Sequence, residues 1–255
     1  MKTEEENMLY IKKYSGFIIS IVIGLLLYEE ANYAYTYRTA TAYSDHMIYR
    51  LILSMGSGSS GWNGILFPIL AALPMGISYV REYRSGYLKL RLQKMSRNRY
   101  VVVTLIQNAI LGGLGLLIPY AVYCLHLYFE YGTKAYLNIK EGGTVIMFHP
   151  KLAASNTIAY VCLLGTFVLL AGVTFATFAI GISAWIKNTF LTLILPFVLC
   201  IAMAILIPDN RFDLLLIFAP NGYALASVPI ILIMSGILIL TGIILFAVGV
   251  KNNEK

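Results

Sequence analysis

Charge is scarce in this chain: 12% of its 255 residues are Asp, Glu, Lys or Arg, about half the share found in soluble domains. That shortage excludes a conventional water-solvated fold. Cysteine is limited to Cys124, Cys162 and Cys200, an odd number set inside apolar stretches without paired spacing, which supports neither a disulfide framework nor a thiolate metal site. Core packing is their expected role. Histidine is limited to His46, His126 and His149, and no Gly-rich loop ending in Lys-Ser or Lys-Thr is present to cradle a nucleotide phosphate. No catalytic residues, metal or bound cofactor are therefore expected in this chain.

Apolar residues make up 59% of the sequence, and they gather into six stretches. These run from Tyr14 to Tyr35, Asn63 to Val80, Tyr100 to Glu130, Asn156 to Ile186, Phe190 to Ile207 and Val228 to Val250. Each is near or above the roughly 20 residues that a helix needs to cross a bilayer core of about 30 Å. Helices satisfy their own backbone there, so the expectation is an all-α, polytopic protein with six transmembrane helices in one domain, residues 1–255. The first stretch is too long for a cleaved leader, runs into Glu29 and Glu30, and lacks a small-residue cleavage site, so it is expected to remain as a span.

The net charge of +7 reads as topology rather than as affinity for nucleic acid. With both termini inside, Lys2, Lys12, Lys13, Arg81, Arg84, Lys89, Arg91, Lys94, Arg97, Arg99, Lys187, Lys251 and Lys255 are cytosolic. Arg38, Arg50, Lys134, Lys140, Lys151 and Arg211 are outside. Thirteen against six fits the positive-inside rule and predicts a multi-pass cell-membrane protein with both termini cytoplasmic.

Several connecting segments have their own character. Met1 to Lys13 mixes Glu4, Glu5, Glu6, Lys12 and Lys13 with Met8, Leu9, Tyr10 and Ile11, which suits an interfacial amphipathic helix before the first span, a frayed polar tail being the alternative. Met47 to Leu53 is apolar enough to lie on the outer surface, and Gly56 to Gly61 is a Gly/Ser linker. Pro68, Pro74 and Pro119 predict kinked spans. Gly112, Gly113 and Gly115, with Gly165, Ala171, Gly172, Ala176 and Gly181, allow close helix approach. Pro208 to Ala226 has a polar start, the apolar run Leu214 to Phe218 and a break at Pro220, Asn221 and Gly222; a re-entrant hairpin and an ordinary outer loop both fit it. No internal repeat is visible, which disfavours inverted-repeat carriers.

Arg81 to Arg99, REYRSGYLKLRLQKMSRNR, holds seven of the nineteen basic residues. Tyr87, Leu88, Leu90, Leu92 and Met95 are interleaved with Lys89, Arg91, Lys94, Arg97 and Arg99, a pattern for a short helix along the membrane face with Glu82 near its start. Topology anchoring and anionic-lipid binding fit the same composition.

In its order of features this segment resembles ABC exporter permeases of the type 2 superfamily. An acid closes the second span, a glycine follows four residues on, and a basic amphipathic helix leads through Ser96 and Arg97 to Tyr100 and the third span. The matching residues are Glu82, Gly86, Leu88, Leu90, Leu92, Ser96, Arg97 and Tyr100; the proline often found before the family's serine is replaced by Lys94 and Met95. The resemblance extends to the amphipathic N-terminus, the six spans and an outer proline hairpin, here with Phe218 and Pro220 as an outer gate. It implies a coupling helix built on Glu82, Gly86, Leu88, Leu90, Arg91, Lys94, Met95 and Arg97. It further implies a separate cytosolic ATPase that carries the ATP and Mg, a second permease subunit, and export of an amphipathic substrate such as an antimicrobial or toxin peptide. Drugs and lipid-linked glycans are alternative cargoes, and a gradient-driven carrier or an intramembrane enzyme are alternative classes.

The enzyme class has one motif to offer. Glu29 and Glu30 followed by Arg38 resemble the paired glutamates of CAAX-type proteases, but Ala34 stands where the arginine belongs and His126 has only Glu130 as a ligand one turn away. Hydration of these acids at span ends is the simpler expectation. The nineteen tyrosines suit interfacial belts, with Tyr28, Tyr33, Tyr35, Tyr120, Tyr123 and Tyr128 as alternative lining of an outer vestibule.

Overall fold

The computed structural model describes the backbone of residues 2–38, 47–55, 63–133, 148–207, 209–215 and 227–253, and the side chains of these residues except 2–13, 34–38, 53, 150 and 210. Among the described residues there are ten α-helices and no strand. They are α1 (Lys2–Arg38), α2 (Met47–Ser54), α3 (Asn63–Ala72), α4 (Ser78–Arg84), α5 (Tyr87–Lys94), α6 (Arg97–Tyr131), α7 (Pro150–Ser155), α8 (Thr157–Ser183), α9 (Thr189–Leu206) and α10 (Val228–Asn253).

Five of these are long and apolar enough to cross a membrane: α1 over Tyr14–Tyr33, α6, α8, α9 and α10. Their outer faces fit lipid. On α10, Ile233, Ile237, Leu240 and Ile244 are exposed, while Ile231, Ser235, Leu238, Gly242 and Phe246 are buried. Both sets recur at helical spacing, so one stripe meets the bundle and the other is left for acyl chains.

At the centre lies α8, packed by α3, α6, α9 and α10, while α1 lies against α6 and α3. The tightest crossings use glycine, because lipid gives helices no hydrophobic drive to associate and close backbone packing must substitute for it. A Cβ at Gly172 would stand 2.5 Å from the Gly112 carbonyl of α6, and one at Gly242 2.5 Å from the Thr177 carbonyl of α8.

The expected second span is not one helix. Asn63 to Val80 divides into α3, a turned segment at Leu73–Ile77, and the start of α4. Pro74 supplies the local cause, since it has no N–H to give the Leu70 carbonyl four residues earlier. That carbonyl instead accepts from the wholly buried Ser20 hydroxyl of α1 at 2.9 Å. The same hydroxyl lies 3.5 Å from the Gly115 carbonyl of α6, which Pro119 deprives of a donor in the same way. One side chain thus sits between the two carbonyls orphaned by two prolines on two helices. Of the six expected spans, five are thus single helices long and apolar enough to cross a membrane, and the sixth is this interrupted α3–α4 segment.

Two other expectations change. The N-terminal segment and the first span form one unbroken helix of 37 residues, about 55 Å long at 1.5 Å per residue, with no break marking a separate interfacial helix. The segment from Met47 does not lie on an outer surface: Met47, Ile48, Leu51 and Ile52 of α2 are buried against α1 and α6. Arg50 of α2 donates to Asn32 at 2.7 Å and stacks 4.7 Å from the Tyr131 ring.

Candidate functional site at the basic end of the bundle

The ends of α4, α8 and α10 meet where most of the basic residues lie, and the chain between α4 and α6 builds a bracket there. Gly86 turns the chain with φ 73°, a left-handed conformation that only glycine adopts without cost. The turn is closed by Ser85 N–H donating to the Arg81 carbonyl and Gly86 N–H to the Tyr83 carbonyl. The following eight residues form α5, Tyr87–Lys94, within the basic amphipathic stretch expected from sequence to be a short helix.

Glu82 is the keystone of the bracket. Its carboxylate accepts from the Arg91 guanidinium of α5 at 2.6 Å and from the Tyr100 hydroxyl of α6 at 2.9 Å. The Arg91 guanidinium also lies 5.1 Å from the centre of the Tyr100 ring. Three short-range contacts therefore fix α4, α5 and α6 to one another. Charge-assisted bonds of this kind are stronger than neutral ones, and at 21% and 20% side-chain exposure the Arg91–Glu82 pair is only partly screened by water.

Below the ion pair is an apolar seat. Leu88 is 2% exposed and packs in a cluster with Tyr79, Tyr100, Ile180, Ala184, Phe246 and Val250, with Leu92 and Met95 at its margin. Tyr79 meets Phe246 edge-on at 5.3 Å. Asn253, near the end of α10, donates to the Tyr79 hydroxyl at 3.0 Å and to the Ala184 carbonyl at 2.7 Å. The Trp185 indole donates to the Leu245 carbonyl at 2.9 Å. Through these contacts α5 is seated on the ends of α4, α6, α8 and α10.

The expected coupling residues separate into two groups. Glu82, Leu88 and Arg91 face inward and hold the bracket, and Met95 is half-buried beside them. Leu90 is 55% exposed with Tyr87 at 53%, and Lys94 is exposed on the same outward side of α5. Gly86 is exposed, and a Cβ there would meet nothing within 4 Å, so its identity is set by the turn alone. Arg97 is half-buried in the first turn of α6. The contacts of Tyr83, Arg84 and Lys187 are not foreseeable from the sequence. Lys187 donates to the Tyr83 hydroxyl at 2.7 Å and lies 3.9 Å from its ring centre, while Arg84 donates to the Lys187 carbonyl at 2.6 Å. A lone lysine between two spans carries no local signal of this, because its partners lie more than 100 positions away.

Elsewhere the candidate residues resolve as follows. Phe218 and Pro220, and most of the expected outer hairpin, lie outside the described residues; ahead of them, Arg211 binds Asp209 with side chain and backbone, which holds that carboxyl below its ordinary pKa. Tyr28 and Tyr123 stack at 4.9 Å and are buried, whereas Tyr120, whose hydroxyl donates to the Val161 carbonyl, and Tyr128 line an apolar groove between α6 and α8. His126 and Glu130 pair at 3.3 Å on the surface of α6, Glu29 and Glu30 are exposed, and no group of three or more metal-capable residues occurs among the described residues. Cys124 and Cys200 are buried as expected, whereas Cys162 is exposed, on the wall of an apolar groove of 660 Å³ between α6 and α8.

The chain matches no family model, no curated protein and no solved structure.

Proposed function

We propose that this protein is the transmembrane subunit of an ATP-driven ABC exporter of the type 2 kind, with α5 as the helix that receives force from a separate cytosolic ATPase. The observation that carries the reading is the division of labour on α5. One side is bolted through Arg91 to Glu82 of α4 and through Leu88 into an apolar cluster with residues of α4, α6 and α10 and of the end of α8, and the other presents Tyr87, Leu90 and Lys94 outward. A part with that construction transmits displacement: a partner gripping the outward side moves the ends of α4, α6, α8 and α10 together. Two such subunits would enclose the path, and the cargo that suits an apolar bundle without a large extramembrane domain is an amphipathic peptide; drugs and lipid-linked glycans are the competing cargoes.

A gradient-driven carrier is the second reading, favoured by the broken pass at Leu73–Ile77 in the bundle interior. Interrupted helices at that depth form ion and substrate sites in many carriers. The two classes separate in one experiment. Gentle purification of the tagged chain from its native membranes is expected to bring down an ATP-hydrolysing subunit in about equal amount. A reproducibly ATPase-free preparation with gradient-dependent uptake in vesicles would overturn the exporter reading.

A further inference from the structure

The bracket leaves one cluster of charge unexplained. Arg84 at the end of α4 and Lys187 in the turn between α8 and α9 are drawn to one place, yet among the described residues every partner they have there is neutral: a backbone carbonyl, a phenol hydroxyl and an aromatic ring. The Glu82 carboxylate of α4 is already taken by Arg91 and Tyr100. A guanidinium has five N–H donors and an ammonium three, so most of their hydrogen-bonding capacity is unspent. Like charges brought to one turn repel each other, and an anion joining them would relieve that repulsion and take up the spare donors.

The setting says which anion. Lys187 lies between the last residue of α8 and the first of α9, both candidate spans, at the depth where headgroups stand. Exposed apolar side chains flank it on both sides: Trp185, whose N–H is tied to the Leu245 carbonyl so that its ring stays in place, and Phe190 at 66% exposure with Leu191 at 42%. The N–H groups that open α9 are not the site, since the Asn188 side chain already accepts from Phe190 and Leu191. We propose that Arg84 and Lys187 form a headgroup clamp for an anionic glycerophospholipid, with the phosphate between the two cations and an acyl chain lying on Phe190 and Leu191. A soluble protein partner would supply the anion without the chain, and free phosphate would supply neither the chain nor the depth. The clamp is independent of the exporter reading and needs only that this end of α8 lies at a membrane surface.

The chain has two tryptophans, Trp62 and Trp185, which makes the test direct. In a Trp62→Phe background the remaining fluorescence reports Trp185 alone, and quenching by brominated phosphatidylglycerol is compared with quenching by brominated phosphatidylcholine at equal mole fraction. Preference for the anionic lipid is expected, falling by about fivefold for each cation removed, which follows from about 1 kcal/mol per basic residue near an anionic surface. Arg84→Gln with Lys187→Gln is expected to abolish the preference, Arg84→Lys with Lys187→Arg to retain most of it, and Lys94→Gln, on the outward side of α5, to leave it unchanged. Equal quenching by the two lipids would overturn the clamp, as would an equal loss in the Lys94 variant, which would reduce the effect to the general field of the basic end. Displacement of the brominated phosphatidylglycerol by millimolar glycerol phosphate would assign the pair to a soluble anion. A co-purifying protein lost only in the Gln pair, without any lipid preference, would assign it to a protein interface.

Discussion

Ser20 shows how much one small side chain can carry inside a membrane bundle. Its hydroxyl has one proton to donate, and it stands 2.9 Å from the Leu70 carbonyl and 3.5 Å from that of Gly115, the two acceptors that Pro74 and Pro119 leave without helical donors. Removal of the hydroxyl strands a buried carbonyl, at a cost of about 1–3 kcal/mol. Ser20→Ala is therefore expected to lower the resistance of the protein to unfolding in mixed detergent by that amount, with Pro74→Ala restoring part of it by giving Leu70 its own donor again. Unchanged stability in Ser20→Ala would show that the carbonyls find other donors. None of this was legible in the sequence, where Ser20 is a lone hydroxyl in an apolar run and the prolines that give it meaning lie 54 and 99 positions away. Lys187 and Asn253 were hidden for the same reason: a polar residue's partners across a fold leave no trace in its neighbours along the chain.

Elements were more legible where the local pattern alone decides them. The bounds of α5 follow from alternating apolar and basic residues after a glycine, and the structure returns Tyr87–Lys94. Its turn depends on Gly86 at φ 73°, where a side chain meets no neighbour and the penalty is purely that of the backbone. Gly86→Ala is expected to destabilise by about 1–2 kcal/mol, with Gly86→Asn milder because asparagine tolerates that region better. Equal melting temperatures for all three would show that the turn relaxes. The α3–α4 break was the opposite case. Apolar composition is continuous from Ile65 to Val80 apart from Pro68, Pro74, Gly76 and Ser78, and a kinked span and a broken one read alike. What separates them is tertiary: the carbonyl of Leu73 lies where a Cβ on Gly16 of α1 would collide, and Gly76 backs onto Ala179 of α8. Only helices already close together can hold an interrupted backbone in place. The same closeness makes the Gly242 crossing vulnerable, and Gly242→Leu is expected to push α10 from α8 and cost several kcal/mol, seen as loss of monodisperse protein in detergent; a well-behaved variant would place the crossing at a greater distance.

Across the whole molecule, the contacts that seat α5 and the side proposed for docking lie opposite one another on one short helix, and that separates two kinds of failure. Glu82→Gln removes the charge that Arg91 and Tyr100 share, leaving Arg91 half-buried without its counter-charge. It is expected to cost about 1–3 kcal/mol of stability and to loosen α5, while Tyr87, Leu90 and Lys94 keep the chemistry of the outward side. Leu90→Asp with Lys94→Glu alters only exposed positions, where substitutions usually move stability by no more than about 0.5 kcal/mol. If α5 is gripped by an ATPase, the outward pair should abolish co-purification and coupled turnover at unchanged melting temperature. The Glu82 variant should instead keep the partner but hydrolyse ATP without moving cargo, because the grip then pulls on a helix no longer bolted to the bundle. Detergent melts, subunit ratios and ATP hydrolysis with and without transport distinguish the two variants. Identical behaviour of both, loss of fold or loss of nothing, would remove α5 from force transmission and leave it as a membrane-surface anchor.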